Sequence, residues 1–163
     1  MSQFRVLCLA VLSCLLLVQC GPQIATSNQS ARYTTGTNKV VSSANAAALN
    51  ALRAGHGLPA LQTDPTLARM AAAHARDMQK NGFFGHVSVN GDTIRERAVA
   101  QGYNFCHVAE NLAKGQTHFD TVLQQWMTSP SHRANLLKTD VVEFGLVHGA
   151  GDLWVLVLGQ RGC

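Results

Sequence analysis

The chain has 163 residues, 47% of them hydrophobic and 13% charged, with a formal net charge of +4 at pH 7. That length suits one domain rather than two. The basic excess is small and scattered, and no Lys/Arg cluster marks a nucleic-acid surface. No Cys-x-x-Cys occurs, so neither a zinc ribbon nor a thioredoxin-type redox pair is supported.

The first element is an apolar run from Val6 to Val18 behind the single charge of Arg5. A membrane span needs about 20 apolar residues. The run is shorter and reads as the h-region of a signal peptide over residues 1–19. An uncleaved anchor helix is the alternative. Leu17-Val18-Gln19-Cys20-Gly21 then resembles a bacterial lipobox, with Gln19 where a small residue is usual. Acylation of Cys20 would anchor the chain through buried CH₂ groups at about 0.8 kcal/mol each. Ordinary cleavage and free secretion is the competing outcome. Either way the expected location is extracytoplasmic: a lipoprotein facing the periplasm or cell surface, or a secreted protein.

Cysteine usage agrees. Of five cysteines, Cys8 and Cys14 leave with the signal peptide and Cys20 would carry lipid. Cys106 and Cys163 remain and can pair in an oxidising compartment. Such a bridge closes a long loop, which chain entropy makes worth roughly 4 kcal/mol at most. Two unpaired buried thiols are the alternative.

Residues 20–43 are rich in Ser, Thr, Gln, Asn and Gly and read as a flexible tether, because such composition buries too little surface to offset ordering entropy. The domain follows over residues 44–163. An alanine-rich helix with Leu49 and Leu52 ends at Gly55. Asp64 caps a second helix, Pro65 takes its first position, and Gly82 stops it. Leu67, Met70, Ala71, His74, Ala75 and Met78 recur along it at helical spacing. A loop carries Phe84-Gly85-His86. Asp92 opens a third helix that ends at Gly102, and residues 103–116 read as irregular. Phe119, Val122, Leu123 and Trp126 mark a fourth helix. Ser129-Pro130 starts a short helical turn bearing His132, with Ser129 as its cap. Val141–His148 and Leu153–Leu158 read as a hairpin around Gly149-Ala150-Gly151-Asp152. Helices followed by strands suggest an α+β domain, with helices packed on a small antiparallel sheet.

Four segments in order carry a family resemblance. They are Leu49-Asn50-Ala51-Leu52-Arg53 with Gly57-Leu58-Pro59; Gly82-Phe83-Phe84-Gly85-His86 with Gly91 and Arg97; Ala109-Glu110-Asn111-Leu112-Ala113; and Trp126 through Leu137 with Phe144-Gly145. Together they resemble the bacterial branch of the CAP superfamily, the SCP/PR-1-like domain. The resemblance implies an α-β-α sandwich with a surface cleft holding two His and two Glu. His86 matches the first His, Glu110 the Glu of the Glu-Asn motif, and His132 the second His. Ser129 stands where the second Glu is usual, so the tetrad is incomplete, and Glu143 is a candidate replacement from the sheet edge.

The cleft candidates are therefore His86, Glu110, Ser129 and His132. His86 and His132 are candidate ligands for a divalent metal such as Zn²⁺, although catalytic zinc usually takes three protein ligands. Glu110 either orients an imidazole or a metal-bound water, or caps backbone N–H groups near the fourth helix. It is also the one candidate catalytic residue. His74, on an apolar helix face, reads as a core histidine, and Trp126 and Trp154 as core. Ser129, Ser131 and His132 do not supply the geometry of a hydrolase triad. The leading expectation is a non-enzymatic envelope protein whose cleft binds a small amphiphile, a glycan or a protein partner. The alternatives are a metal-dependent extracytoplasmic hydrolase using Glu110 as base, and a structural envelope protein with a relic site.

Overall fold

The computed structural model describes residues 39–40 and 42–163. The expected signal peptide, Cys20 and most of the tether lie outside the described residues. In chain order the elements are β1 (Lys39–Val40), α1 (Ser43–Gly55), β2 (Gln62–Thr63), α2 (Pro65–Asn81), α3 (Ile94–Ala100), β3 (Phe105–Lys114), α4 (Phe119–Thr128), α5 (Pro130–Leu136), β4 (Glu143–Gly149) and β5 (Leu153–Arg161).

The helices form where the local chemistry directs them. In α1, Ser42 Oγ accepts from Asn45 N. In α2, Asp64 accepts from Leu67 N, and Gly82 closes the helix in a left-handed conformation at φ 69°. The third helix opens one residue later than the sequence suggests. Thr93, not Asp92, is its cap, in a capping box with Glu96. Ser129 occupies the cap position of α5 without making a side-chain cap bond. Its hydroxyl turns instead toward Ser131 Oγ at 3.4 Å, which corrects the capping role expected of it.

The sheet runs β1-β4-β5-β3, and β2 adds a short parallel pairing to β4. The hairpin β4–β5 is antiparallel throughout, from Glu143 opposite Gly159 to Gly149 opposite Leu153. Lys39–Val40, placed in the tether by composition, pair antiparallel with β4 at Val147 and His148. The larger departure is β3. Its backbone pairs with β5 from Phe105 to Lys114, so the stretch read as irregular is a ten-residue strand. The cause is tertiary: β5 supplies the ladder that the Ala-Glu-Asn-Leu-Ala segment would not select alone.

Side chains alternate across this sheet, and each face is covered. Trp154, Leu156 and Leu158 of β5 join Phe144 and Leu146 of β4 in a core shared with Leu49 of α1, Trp126 of α4 and Leu136 of α5. Leu153, Val155 and Val157 face the other way, onto Leu67, Met70, Ala71 and Met78 of α2 and Ala98 of α3. The result is the α-β-α sandwich expected. Trp126 and Trp154 are both buried, and their indole N–H groups donate to Leu112 O and Gln116 O. Cys106 and Cys163 form a disulfide with Cα atoms 5.3 Å apart, tying the chain end to the start of β3. Among the described residues, no helix is long and apolar enough to cross a membrane.

One close approach sets the α2–sheet spacing. A Cβ on Gly145 would overlap the backbone of Leu67 and Ala68. Because that obstacle is main chain, it cannot rotate away. Gly145→Ala should therefore destabilise the domain by at least the ~1–3 kcal/mol of ordinary overpacking. A urea midpoint equal to that of the parent protein would refute this account of the packing.

Candidate functional site

The site is built around Glu110, in the middle of β3. Its side chain lies on the α2–α3 face of the sheet, where an unpaired carboxylate would be costly. The side chain is only 3% exposed, and both oxygens are engaged. Arg97 Nη2, from α3, donates to Oε2 at 2.7 Å. His86 Nδ1, from the loop between α2 and α3, meets Oε1 at 2.9 Å. A carboxylate only accepts, so Nδ1 carries the proton in this bond, and neutral His86 keeps its lone pair on Nε2. The carboxylate thus meets an imidazole and a guanidinium rather than helix N–H groups.

Arg97 also fixes the loop. Its Nη1 donates to His86 O at 2.8 Å and Asp92 O at 3.1 Å, and reaches Ser88 Oγ at 3.3 Å. One buried guanidinium therefore holds both the backbone of His86 and the carboxylate that orients its ring. The sequence noted Arg97 only as a motif residue. The signal for its role was the spacing of α3, which puts Arg97 beside Ala98 on the buried side of a helix otherwise exposed at Arg95, Glu96 and Val99.

His74 is a core histidine, 1% exposed. Its Nε2 donates to Gly85 O at 2.9 Å, and its Nδ1 lies 3.4 Å from the Ser88 hydroxyl. Nε2 is also 3.8 Å from Glu110 Oε1, so it borders the site from beneath.

His132 approaches from the opposite layer, on α5. Asn111 Nδ2 donates to His132 O at 3.0 Å, while Asn135 Nδ2 reaches Asn111 Oδ1 at 2.9 Å and Glu110 O at 3.1 Å. These bonds tie α5 to β3 beside Glu110. Burial lowers the pKa of His132, and the charge of His86 adds to the effect, so the two rings lie within electrostatic reach. Ser129 is half-buried at the start of α5. Glu143 is committed elsewhere: Tyr103 O–H donates to its Oε2 at 2.7 Å, and Arg161 Nε lies 3.4 Å away. It does not replace the missing second acid of the cleft. The two strands explain why, since Glu143 is held with Tyr103 and Arg161 at the Gly159 end of the β4–β5 pair.

The model of the CAP family, described as the cysteine-rich secretory protein family, matches residues 46–156. The chain belongs to this family. The CAP domain is similar to the uncharacterized protein YkwD of Bacillus subtilis, 33% identical over 106 residues, 64% of this chain and 41% of the relative. It is similar also to the uncharacterized membrane protein YlbC of that organism, 31% identical over 97 residues, 60% of this chain and 28% of the relative. The chain thus spans less than half the length of either relative. Among solved structures, an extracellular protein of Bacillus anthracis containing an SCP domain superposes with a TM-score of 0.65 at 28% identity, covering 69% of this chain and 38% of that one. An outer surface protein of Borrelia burgdorferi superposes with a TM-score of 0.66 at 25% identity, covering 78% of this chain and all of its own.

Which metal would this CAP site suit? His86 is presented as metal-binding histidines commonly are, with its second nitrogen held by a carboxylate. Yet among the described residues no group of three or more His, Cys, Asp or Glu side chains is placed to hold an ion. The two imidazoles of His86 and His132 would be the donors for such an ion, fewer than the three protein ligands usual at catalytic zinc.

Two tests follow from this geometry. Glu110→Ala leaves Arg97 as an unpaired buried charge and should cost about 3–5 kcal/mol; a loss under about 1 kcal/mol, the scale of an exposed pair, would mean the ion pair is not buried in solution. The second concerns acid. Burial lowers the pKa of His74; Glu110 opposes this and Arg97 reinforces it. His132 is lowered as well. Both are proton-poor when folded, so the unfolded chain binds more protons once pH falls below the ordinary histidine value of about 6.5. Stability should therefore be full above that pH and decline as pH falls toward the folded values. Melting temperatures from pH 7.5 to 5 check this. His74→Gln should flatten the profile, and an unchanged slope would refute the assignment.

Proposed function

We propose that this CAP domain is an extracytoplasmic binding module of the bacterial cell envelope, not an enzyme, and that its His86–His132 cleft receives a small amphiphile. The observation that carries the reading is the state of Glu110. A general base needs a free lone pair within reach of substrate. Glu110 is buried, and its oxygens are taken by Arg97 and His86. It orients His86 and is not poised to accept a proton. The loop favours an amphiphile over a glycan or a protein partner, because Phe84 and Val87, on either side of His86, are 50% and 52% exposed. The extracellular and outer-surface descriptions of the two solved relatives support an envelope location.

Zinc would be held by His86 and His132 and would supply a positive centre for an acidic head group. Calorimetric titration of zinc into the purified protein, beside a His86→Ala/His132→Ala double variant, should show saturable binding that the variant loses. Equal heats in both proteins would remove the paired-histidine cleft. One observation favours a second reading, a metal-dependent hydrolase: the His86–Glu110 bond has the form of the carboxylate–histidine pairs found behind catalytic zinc. Turnover abolished both by chelation and by Glu110→Gln would establish it over the binding module.

The lipid anchor belongs to the same proposal. Cys20→Ser should move the protein from the membrane pellet to the soluble fraction. Retention in the pellet would count against acylation at Cys20.

A further inference from the structure

Arg97 divides its work between two places. Besides the Glu110 site, it lines a pocket of about 330 Å³ formed by α2, residues 88–92 and the end of α3. The lining includes His74 but none of His86, Glu110 and His132. That volume is at the lower end of the ~300–1,000 Å³ typical of small-molecule sites. The space exists because both helices present small side chains there, Ala73 on α2 and Ala100 on α3.

The walls are set before any ligand arrives. Ser88 N donates to Asp92 O at 2.9 Å, and Gly91 N to Ser88 O at 2.9 Å, closing the loop on itself. Gly91 has φ 90°, which a side chain would resist. Val89 N donates to Asp77 Oδ2 at 3.0 Å, joining the loop to α2. Asn90 bonds Asp92 through both its amide nitrogen and its oxygen. A preformed wall lowers the ordering cost of binding.

The chemistry of the lining selects the ligand. Asp77 and Asp92 would repel an anion, and the Arg97 guanidinium is already committed through Nη1 and Nη2. Asp77, on α2, accepts from Val89 N through Oδ2 and from Asn81 Nδ2 through Oδ1, and Asp92 accepts from Asn90 Nδ2, so both carboxylates already work as acceptors for neutral donors. Neutral hydroxyls suit every group present. A carboxylate oxygen has two lone pairs, so each carboxylate keeps acceptor capacity beyond these bonds, and the Gln101 amide both donates and accepts. Met70, Ala73 and Ala100 supply apolar surface for the C–H face of a ring. Arg97 Nε is buried and has no hydrogen-bond partner among the described residues. We propose that this pocket is a binding site for a neutral, hydroxyl-rich ring of monosaccharide size, separate from the histidine cleft.

The experiment is a titration of ¹⁵N-labelled protein with glucose and with N-acetylglucosamine, followed by amide shifts. Inorganic phosphate and spermidine serve as charged probes. Saturable shifts confined to residues 88–92 and 100–101, with a dissociation constant of about 1 mM, are expected for one or both sugars. Ala73→Phe, which fills the pocket, and Gln101→Leu, which removes an exposed amide, should each weaken binding at least about tenfold, or about 1.4 kcal/mol. His86→Ala should leave it unchanged. Should Ala73→Phe fail to fold, the exposed Gln101→Leu variant carries the test. Shifts with phosphate or spermidine and with neither sugar would overturn the proposal, as would sugar binding unaffected by Gln101→Leu or lost in His86→Ala.

Discussion

The buried pair of Glu110 and Arg97 is the constraint on which the rest of the site depends. A carboxylate on the inner face of a sheet strand is tolerated only with a matched cation and filled lone pairs. Arg97 supplies the charge from α3, and His86 supplies the second bond from the loop. Because Arg97 also holds the backbone of His86 and Asp92 and the hydroxyl of Ser88, loop position and ring orientation come from one side chain. The loop therefore holds its functional residue through a core interaction rather than through surface contacts.

The other half of the site depends on a different buried cation. Arg53 of α1 is fully buried and, among the described residues, has no carboxylate partner. Its Nη1 donates to Leu136 O at 2.8 Å and Lys138 O at 3.0 Å, and its Nε to Pro59 O at 3.1 Å. These carbonyls include the C-terminal end of α5, where the helix dipole is negative. Arg53 thus anchors the C-terminal end of α5, while Asn111, bonded to His132 O, and Asn135 fasten the helix to β3. Two guanidiniums, one in each helical layer, fix the elements that carry His86 and His132.

Much of this was legible in the sequence, for local reasons. Asp64, Pro65 and Gly82 punctuate α2 with chemistry that does not depend on context. The β4–β5 hairpin declares itself through apolar strands around a Gly-rich turn. The strand β3 did not, because Ala109 to Lys114 is rich in residues of low β preference and takes its conformation from β5. Arg97 and Arg53 were hidden for a related reason. An isolated arginine on a helix reads as solvent-facing until the partner that justifies its burial is known, and those partners lie on other elements. The cysteine pair was legible by counting alone, and the chain end is where the bridge holds it.

The serine at position 129 decides what kind of chemistry the cleft retains. A carboxylate there would bring a second negative charge to the start of α5; Ser129 brings none, and its hydroxyl is directed to Ser131. The remaining acid, Glu110, is neutralised by Arg97. Among the described residues, no group of three or more His, Cys, Asp or Glu side chains is placed to hold an ion. What remains is imidazole nitrogen, with the pKa of His132 lowered by burial, and the exposed Phe84 and Val87 in the loop of His86. Nitrogen donors of this kind suit zinc, and the apolar loop suits a chain or ring that leaves water. In the binding reading proposed above, the absence of that acid favours recognition over proton transfer, while the buried pair still keeps His86 in place.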